Sequence, residues 1–178
     1  MDSEAKKILE LLIDEDIYEY KCFDTLKEKI TTDKEFRETI KKGIEKGKIE
    51  KFPRELFNKV CNQNIRAPFD MVQIFIDGAN FGDCTKMSLM VSYSLPVCEI
   101  CGGTLDILKG TKNSEDGSHT WISYNGWIID TSLMITISES IKEELHYNEE
   151  NRYNPNIDER YIVSKEYAND DSIKTRKK

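Results

Sequence analysis

The sequence predicts an α+β fold, because its first third and its middle differ in the density of charged residues and in the secondary structure that their residue patterns favour. Residues 1–60 are densely charged, with 14 basic and 15 acidic side chains, and their apolar residues recur at helical spacing. Residues 61–130 carry only 4 basic and 8 acidic side chains, and they end in two β-prone runs around Asn125 and Gly126. We therefore expect a helical N-terminal layer packed on a small antiparallel sheet.

The chain length fits one structural domain with three parts. A chain of 178 residues is long enough for a single hydrophobic core. We expect residues 1–60 to form the helical layer, residues 61–147 the core that carries any catalytic site, and residues 148–178 a polar C-terminal extension with a frayed tail. Because a charge-poor segment is the one most easily buried, the hydrophobic core is expected between Cys61 and Ile137.

Helical periodicity predicts four helices in the N-terminal layer. They cover residues 5–13, residues 24–30, residues 33–45 and a short segment after Pro53. In the first of these helices, Ile8, Leu11 and Leu12 share one face. Asp33 is suited to cap the third helix, and Gly47 is suited to end it.

The later elements follow from β-propensity, turn residues and periodicity. We expect a strand or a buried helix end at 71–76, a loop at 77–83, a helix at 85–95, strands at 99–108 and 118–131, and a helix at 138–145. Ser140 and Glu143 fit a capping box in the last helix. Polar residues dominate after Asn148, and a strand is predicted there only at 161–163.

Composition excludes several classes of partner. The formal net charge of −7 argues against nucleic acid as the principal partner, because phosphate binding needs clustered Lys and Arg. No run of about eighteen apolar residues is present, so no membrane span is expected. The first residues lack the basic and apolar segments of a signal peptide, which favours a cytoplasmic protein. The sequence leaves the oligomeric state open.

The cysteines are expected to be reduced thiols, because five of them occur in a chain without a secretory signal. Cys98 and Cys101 form a lone CxxC pair without the further ligands of a zinc site or the helical context of a redox motif. Both are therefore expected to be buried thiols, and the sequence indicates no metal and no cofactor. Gly102 and Gly103, which follow, predict a bulge or a close approach of two backbones.

The most informative segment is 118–132. Asn-Gly at 125–126 is typical of a two-residue hairpin turn, because both central positions need positive φ. This turn would place Trp121 opposite Asp130 and His119 on the same face, diagonally about 7–8 Å away at the backbone. A carboxylate that accepts one ring N–H orients an imidazole and lets the other nitrogen serve a nucleophile. A structural hydrogen bond on a sheet face is the alternative interpretation.

Cys84 lies directly before the expected helix at 85–95. A thiol at a helix N-terminus meets unpaired backbone N–H groups and the positive end of the helix dipole, which both favour the thiolate. The same N–H groups would stabilise an oxyanion. The charge of Asp83 opposes ionisation of the thiol.

Three further side chains are candidates to support such a site. Asn80 and Gln73 would each supply an amide donor for an oxyanion. An equally good interpretation is that Asn80 is a turn residue of the loop and that Gln73 lies on the surface of a strand. Trp121 is expected either to shield the site or to pack against the sheet, and packing is favoured.

Three segments together resemble the transglutaminase-like division of the papain-like cysteine protease superfamily. They are Gly-Asp-Cys at 82–84, His-Thr-Trp at 119–121 and Gly-Trp-Ile-Ile-Asp-Thr-Ser at 126–132. The resemblance covers about residues 78–137, and it implies a papain/transglutaminase-like core in which a nucleophile helix packs on the sheet. It makes Cys84 the nucleophile, His119 the general base and Asp130 the residue that orients the base.

The segments depart from the family pattern in ways that leave these three side chains unchanged. Thr120 and Thr131 replace the family's usual Ala and Pro. The stretch from His119 to Asp130 is shorter than the family commonly shows. This compact spacing resembles more closely that of the leader-peptide-cleaving members of bacterial peptide-maturation pathways. The acidic calcium loops of the classical transglutaminases are not recognisable.

The resemblance implies a cysteine acyl-transfer enzyme that forms a thioester with a peptide or a glutamine-type amide. A transglutaminase-like cysteine peptidase or hydrolase is favoured, because no amine site and no calcium loop is visible. A transglutaminase or a protein deamidase would use the same residues. The alternatives from other classes are a catalytically idle transglutaminase-like module that binds a protein, and an arylamine-type acyltransferase, which the short chain disfavours. The expected partner is a peptide or protein substrate.

Overall fold

The N-terminal third consists of helices, as the sequence predicts. The computed structural model describes residues 1–61, 87–88, 91–92, 94–95, 98–111 and 114–154. Its α-helices with full bounds are α1 (Ser3–Leu12), α2 (Asp24–Thr32), α3 (Lys34–Glu45) and α4 (Arg54–Cys61). Short 3₁₀ helices at Glu15–Ile17 and Lys21–Phe23 connect α1 to α2.

The ends of the helices follow the predicted chemistry. The Asp33 carboxylate caps α3 by accepting a hydrogen bond of 3.0 Å from the Phe36 amide. Gly47, beyond the end of α3, has a φ of +69°, which a residue with a Cβ adopts only with strain. The predicted apolar face of α1 is wrong in one residue, because Leu11 is 57% exposed and Leu9 is fully buried.

The second layer is an antiparallel sheet. In the part of the chain that the structure describes, its strands are β1 (Ile49–Lys51), β2 (Glu99–Leu105), β3 (Ser118–Tyr124), β4 (Trp127–Asp130), β5 (Ile135–Ser138) and β6 (Tyr147–Tyr153). Their order is β1-β5-β4-β3-β2-β6, and all neighbouring strands are antiparallel. The protein is therefore an α+β protein, with N-terminal helices packed on an open six-stranded antiparallel sheet in its described residues.

Both layers contribute to the hydrophobic core. Leu9 of α1, Leu26 of α2 and Ile40 of α3 are fully buried, as are Trp121 and Ile128 of the sheet. The expectation that the core lies only between residues 61 and 137 is therefore too narrow. An amphipathic helix buries one face and keeps its charges on the other, so a count of charges along the sequence does not separate the two faces.

Several elements differ from the sequence-based expectation, among them β1, since the sequence predicted no strand at 49–51. The helix predicted at 138–145 is a 3₁₀ helix, Glu139–Leu145, and its cap is the Ser138 hydroxyl, which accepts from the Ser140 amide. The strand predicted at 99–108 ends at Leu105 and continues as a 3₁₀ turn. The sequence predicted no strand at 147–153, where β6 forms. Because every residue of β6 after Tyr147 is exposed, β6 lacks the alternation that marks a half-buried strand.

None of the helices in the described ranges is long and apolar enough to cross a membrane.

Candidate functional site

A tight hairpin positions the candidate site. Strands β3 and β4 pair with Ser123 opposite Ile128 and with Tyr124 opposite Trp127. The two turn residues, Asn125 and Gly126, have φ values of +51° and +79°. These are the positive values that a two-residue turn of this kind requires. The predicted turn and its register are thus confirmed.

This hairpin brings His119 of β3 and Asp130 of β4 into direct contact. The His119 Nε2 atom lies 2.7 Å from the Asp130 Oδ2 atom. Both side chains are fully shielded from solvent, with 0% exposure. A hydrogen bond that involves an ionised carboxylate is shorter and stronger than a neutral one, and burial strengthens it further.

Three more donors hold the Asp130 carboxylate. Its Oδ1 atom accepts hydrogen bonds from the backbone amides of Ser132, at 2.8 Å, and Leu133, at 2.9 Å. Its Oδ2 atom accepts a hydrogen bond of 2.6 Å from the Tyr147 hydroxyl in addition to the contact with His119. Each carboxylate oxygen therefore accepts two hydrogen bonds, which matches the capacity of its lone pairs.

The surroundings of Asp130 keep this carboxylate ionised. Burial is the largest influence on its pKa and raises it, but the charge of His119 and the hydrogen bonds from His119, Tyr147 and Leu133 together outweigh burial and lower the pKa. The pKa of Tyr147 is raised well above its usual value by burial and by the negative charge of Asp130. At neutral pH the site therefore contains a carboxylate anion and a neutral phenol that donates to it.

The ionised carboxylate determines which nitrogen of His119 carries a proton. A carboxylate only accepts hydrogen bonds, so the His119 Nε2 atom, which faces Asp130, must be protonated. In the neutral imidazole the Nδ1 atom is then the basic nitrogen. An imidazole held in this tautomer can take a proton from a nucleophile and later return it to a leaving group.

Trp121 packs against this pair, as predicted. Its ring centroid lies 5.9 Å from that of His119 and 5.0 Å from that of Tyr147, and the Tyr147 ring meets it edge-on at 72°. Trp121 is fully buried, and among the described residues its indole N–H has no hydrogen-bond partner. The alternative role of Trp121, shielding of the site, stays a prediction.

Tyr147 is the site residue that the sequence analysis missed. It is the first residue of β6 and lies opposite Leu105 of β2, so it reaches Asp130 from the far edge of the sheet. No motif or spacing links Tyr147 to the hairpin in the sequence. The one available signal is an aromatic residue at the start of an otherwise polar run.

The remaining predicted site residues, Cys84, Asn80 and Gln73, lie outside the described residues. The structure does describe short pieces of the helix predicted at 85–95, and residues 87–88 and 91–92 are helical. Ser88 is fully buried there, and its hydroxyl donates a hydrogen bond of 3.2 Å to the Thr120 carbonyl. Thr120 is the residue next to His119 in β3.

The CxxC segment has the structural role that the sequence predicts. Cys98 and Cys101 are buried. Burial raises the pKa of the Cys101 thiol to about 12. The pairing of β2 with β6 shifts register between Gly102, which lies opposite Asn151, and Gly103, which lies opposite Glu149. Glu150 of β6 is the extra residue, so a bulge forms opposite this glycine pair. No cluster of His, Cys, Asp and Glu side chains suited to a metal ion occurs in the described ranges.

Comparisons with models of protein families, with curated proteins and with solved structures find no match for this chain.

Proposed function

We propose that this protein is a cysteine-nucleophile acyl-transfer enzyme, a transglutaminase-like peptidase or hydrolase that acts on a peptide or a glutamine-type amide. The observation that carries the proposal is the buried hydrogen bond of 2.7 Å between His119 Nε2 and Asp130 Oδ2. Three further donors hold the carboxylate in place. This arrangement prepares an imidazole to exchange a proton through its other ring nitrogen.

The reaction we propose has two halves. The Cys84 sulfur attacks the amide carbonyl carbon while His119 takes the thiol proton, and His119 then gives this proton to the departing amine as the C–N bond breaks. The product of this half-reaction is a thioester. In the second half, His119 takes a proton from water, the resulting hydroxide attacks the thioester, and the proton returns to the Cys84 sulfur as the acid is released.

The helical pieces next to β3 support the choice of Cys84. Ser88 follows Cys84 by four residues and bonds to the carbonyl of Thr120, the neighbour of His119. The proposal places Cys84 at the start of this helix, where the helix dipole would favour its thiolate. It also assigns to the protein the papain/transglutaminase-like arrangement of a nucleophile helix packed on the sheet.

Related reactions would use the same side chains. Attack on the thioester by an amine in place of water gives transglutamination, and release of ammonia from glutamine followed by hydrolysis gives deamidation. Hydrolysis needs no second substrate site, so we propose it as the reaction.

The full burial of His119 and Asp130 favours a second candidate function. Side chains with 0% exposure also suit a structural hydrogen bond inside a catalytically idle module that binds a protein through its charged helices. In this case His119 would contribute to stability, and Cys84 would react like an ordinary cysteine.

Alkylation of the native protein by iodoacetamide at pH 7, followed by mass mapping of each cysteine, tests the proposal. We expect Cys84 to react at least roughly tenfold faster than Cys22, which is half-buried, because rates follow the thiolate fraction. His119→Ala should remove this advantage. His146→Ala, which changes the only other histidine, should leave it unchanged. The rate at Cys22 reports within each sample whether the variant is folded.

Two results would overturn the enzymatic proposal. One is a Cys84 rate no higher than that of Cys22. The other is a fast Cys84 that does not respond to His119→Ala. A His119→Ala protein that is destabilised but keeps the wild-type Cys84 rate would establish the structural alternative.

A further inference from the structure

We propose that Tyr147 is a positioning residue for the His119–Asp130 pair. Its hydroxyl sets the direction of the Asp130 carboxylate and the strength with which this carboxylate holds the imidazole proton of His119. This inference rests on the proposed function for its catalytic meaning. Its physical content concerns only described residues.

The geometry places two donors on one oxygen atom. The Tyr147 hydroxyl lies 2.6 Å from Asp130 Oδ2, and His119 Nε2 lies 2.7 Å from the same atom. The backbone amides of Ser132 and Leu133 hold the other oxygen. Tyr147 is thus the one side chain, besides His119, that donates to this carboxylate among the described residues. Its ring is fixed edge-on against Trp121 at 5.0 Å.

The position of Tyr147 in the fold indicates that its hydroxyl has a use beyond packing. The residues of β6 after Tyr147 are exposed, so Tyr147 is the residue of this polar edge strand that is buried in the core. A phenylalanine would fill the same space and would bring no buried hydroxyl that needs a partner. The partner that the hydroxyl finds is the carboxylate that orients His119.

The charges around the carboxylate define the expected effect. Among the described residues, the ionisable groups that bond to Asp130 are His119 from β3 and Tyr147 from β6. On β2, the Cys101 thiol is neutral at pH 7, because burial raises its pKa to about 12.

Farther along β6, Arg152 pairs with Glu149 at 2.7 Å, with Glu99 of β2 at 3.3 Å and with Glu139 of the 3₁₀ helix at 3.5 Å. Lys142 of the same 3₁₀ helix lies 3.7 Å from Glu149. Loss of the Tyr147 hydroxyl would leave all of these groups in place. It would concentrate negative charge on Oδ2, so that Asp130 holds a protonated imidazole more strongly.

Nuclear magnetic resonance of the imidazole nitrogens tests this inference, since the chain has only 2 histidines and His146→Gln assigns the signals. In Tyr147→Phe we expect the midpoint of the His119 titration to move to higher pH by about half a unit. Tyr153→Phe, on the same strand but 39% exposed, should not move it. A midpoint that Tyr147→Phe leaves unchanged in the folded protein would overturn the inference.

A second variant keeps the test decisive if Tyr147→Phe fails to fold. Site-specific replacement of Tyr147 by 3-fluorotyrosine keeps the ring and makes the hydroxyl a stronger donor. The midpoint should then move to lower pH, and an unchanged midpoint would again overturn the inference.

The pH profile of Cys84 alkylation, measured on the same samples, separates this inference from the proposed function. If Tyr147→Phe moves the His119 midpoint but neither His119→Ala nor Tyr147→Phe changes the alkylation rate of Cys84, Tyr147 positions the pair and the enzymatic proposal fails. If Cys84 depends on His119 while Tyr147→Phe shifts neither the midpoint nor the profile, the inference fails and the enzymatic proposal stands.

Discussion

His119 and Asp130 are eleven residues apart in the sequence, and their side chains meet at 2.7 Å in the interior of the protein. They stand on the two strands of one hairpin, so the turn at Asn125 and Gly126 brings their backbones together. The ionic state of the contact has a different origin. It depends on the donors that surround the Asp130 carboxylate, one of which comes from the far edge of the sheet.

Replacement of Asp130 by Asn should destabilise the protein. At pH 7 we expect the free energy of unfolding to fall by on the order of 3 kcal/mol, because an amide cannot act as the anion that accepts from both His119 and Tyr147. Urea unfolding of Asp130→Asn beside the wild-type protein measures this loss. Asp116→Asn, which changes an exposed carboxylate, is the matched control and should have a smaller effect.

The same pair of proteins should reveal the pH dependence of the Asp130 contribution. The pKa of Asp130 in the folded protein lies below the ordinary value of an aspartate, since its hydrogen-bond partners and the charge of His119 outweigh the effect of burial. The stabilisation is therefore complete above the unfolded pKa and is lost as the pH falls through the lower folded pKa. The difference between wild type and Asp130→Asn should narrow only below about pH 4. Because the other carboxylates are common to both proteins, a difference that stays constant down to pH 3 would contradict this expectation.

The hairpin turn should be sensitive to a methyl group at Gly126. This residue has a φ of +79°, and a Cβ built there would meet no atom within 4 Å. The cost of Gly126→Ala is therefore conformational, about 1 kcal/mol in the free energy of unfolding.

Gly110→Ala is the matched control for the turn, because Gly110 has a φ of +76° and equally open surroundings but lies outside the hairpin. Urea unfolding should give similar losses for both variants. Only Gly126→Ala should shift the ring signals of His119. Equal shifts from the two variants would show that the turn has no special influence on the site.

The bulge between β2 and β6 should tolerate a methyl group at one glycine and not at the other. A Cβ at Gly103 would overlap the backbone carbonyl of Asn148, which cannot move without breaking the strand pairing. We expect Gly103→Ala to cost roughly 2–3 kcal/mol and to reduce amide protection in β6. A Cβ at Gly102 meets the side chain of Asn151, which can rotate away, so Gly102→Ala should cost less than about 1 kcal/mol. Hydrogen exchange and urea unfolding measure both effects. Equal losses of stability in Gly102→Ala and Gly103→Ala would contradict this account.

The two cysteines of the CxxC segment should be inert in the native protein. Burial raises the pKa of Cys101 to about 12 and outweighs the charge of Arg152, which lowers it. At neutral pH almost no thiolate is present there, so the thiol reagent DTNB should modify Cys22 and leave Cys98 and Cys101 unmodified. Addition of urea should expose both. Modification of native Cys101 as fast as Cys22 would show that the segment opens.

Local patterns were sufficient to predict much of the fold. Positions three and four apart predicted α1, α2 and α3, and the short side chain of Asp33 predicted a helix cap that the structure contains. The Asn-Gly turn predicted the hairpin and, through the alternation of side chains, the contact of His119 with Asp130. These predictions succeed because each depends on residues that are near in the sequence, where backbone geometry alone determines which side chains meet.

Other features depend on contacts between distant parts of the chain. β1 has only three residues, and β6 is polar and exposed, so neither carries a periodic signal of its own. Both form because a neighbouring strand offers its backbone hydrogen bonds. The predicted extent of the core was too narrow for a related reason, since the burial of one helix face is determined by what packs against it.

The sequence by itself determined the pairing of His119 with Asp130, because a two-residue turn and the two-residue period of a strand leave only one register that joins them. Only the tertiary structure decided that Tyr147 completes the carboxylate's surroundings. That contact requires β6 to pair with β2 through the bulge at Gly102 and Gly103, which places the Tyr147 hydroxyl within 2.6 Å of Asp130. No local rule of the chain specifies a contact made across several strands, because it arises from the packing of the whole sheet.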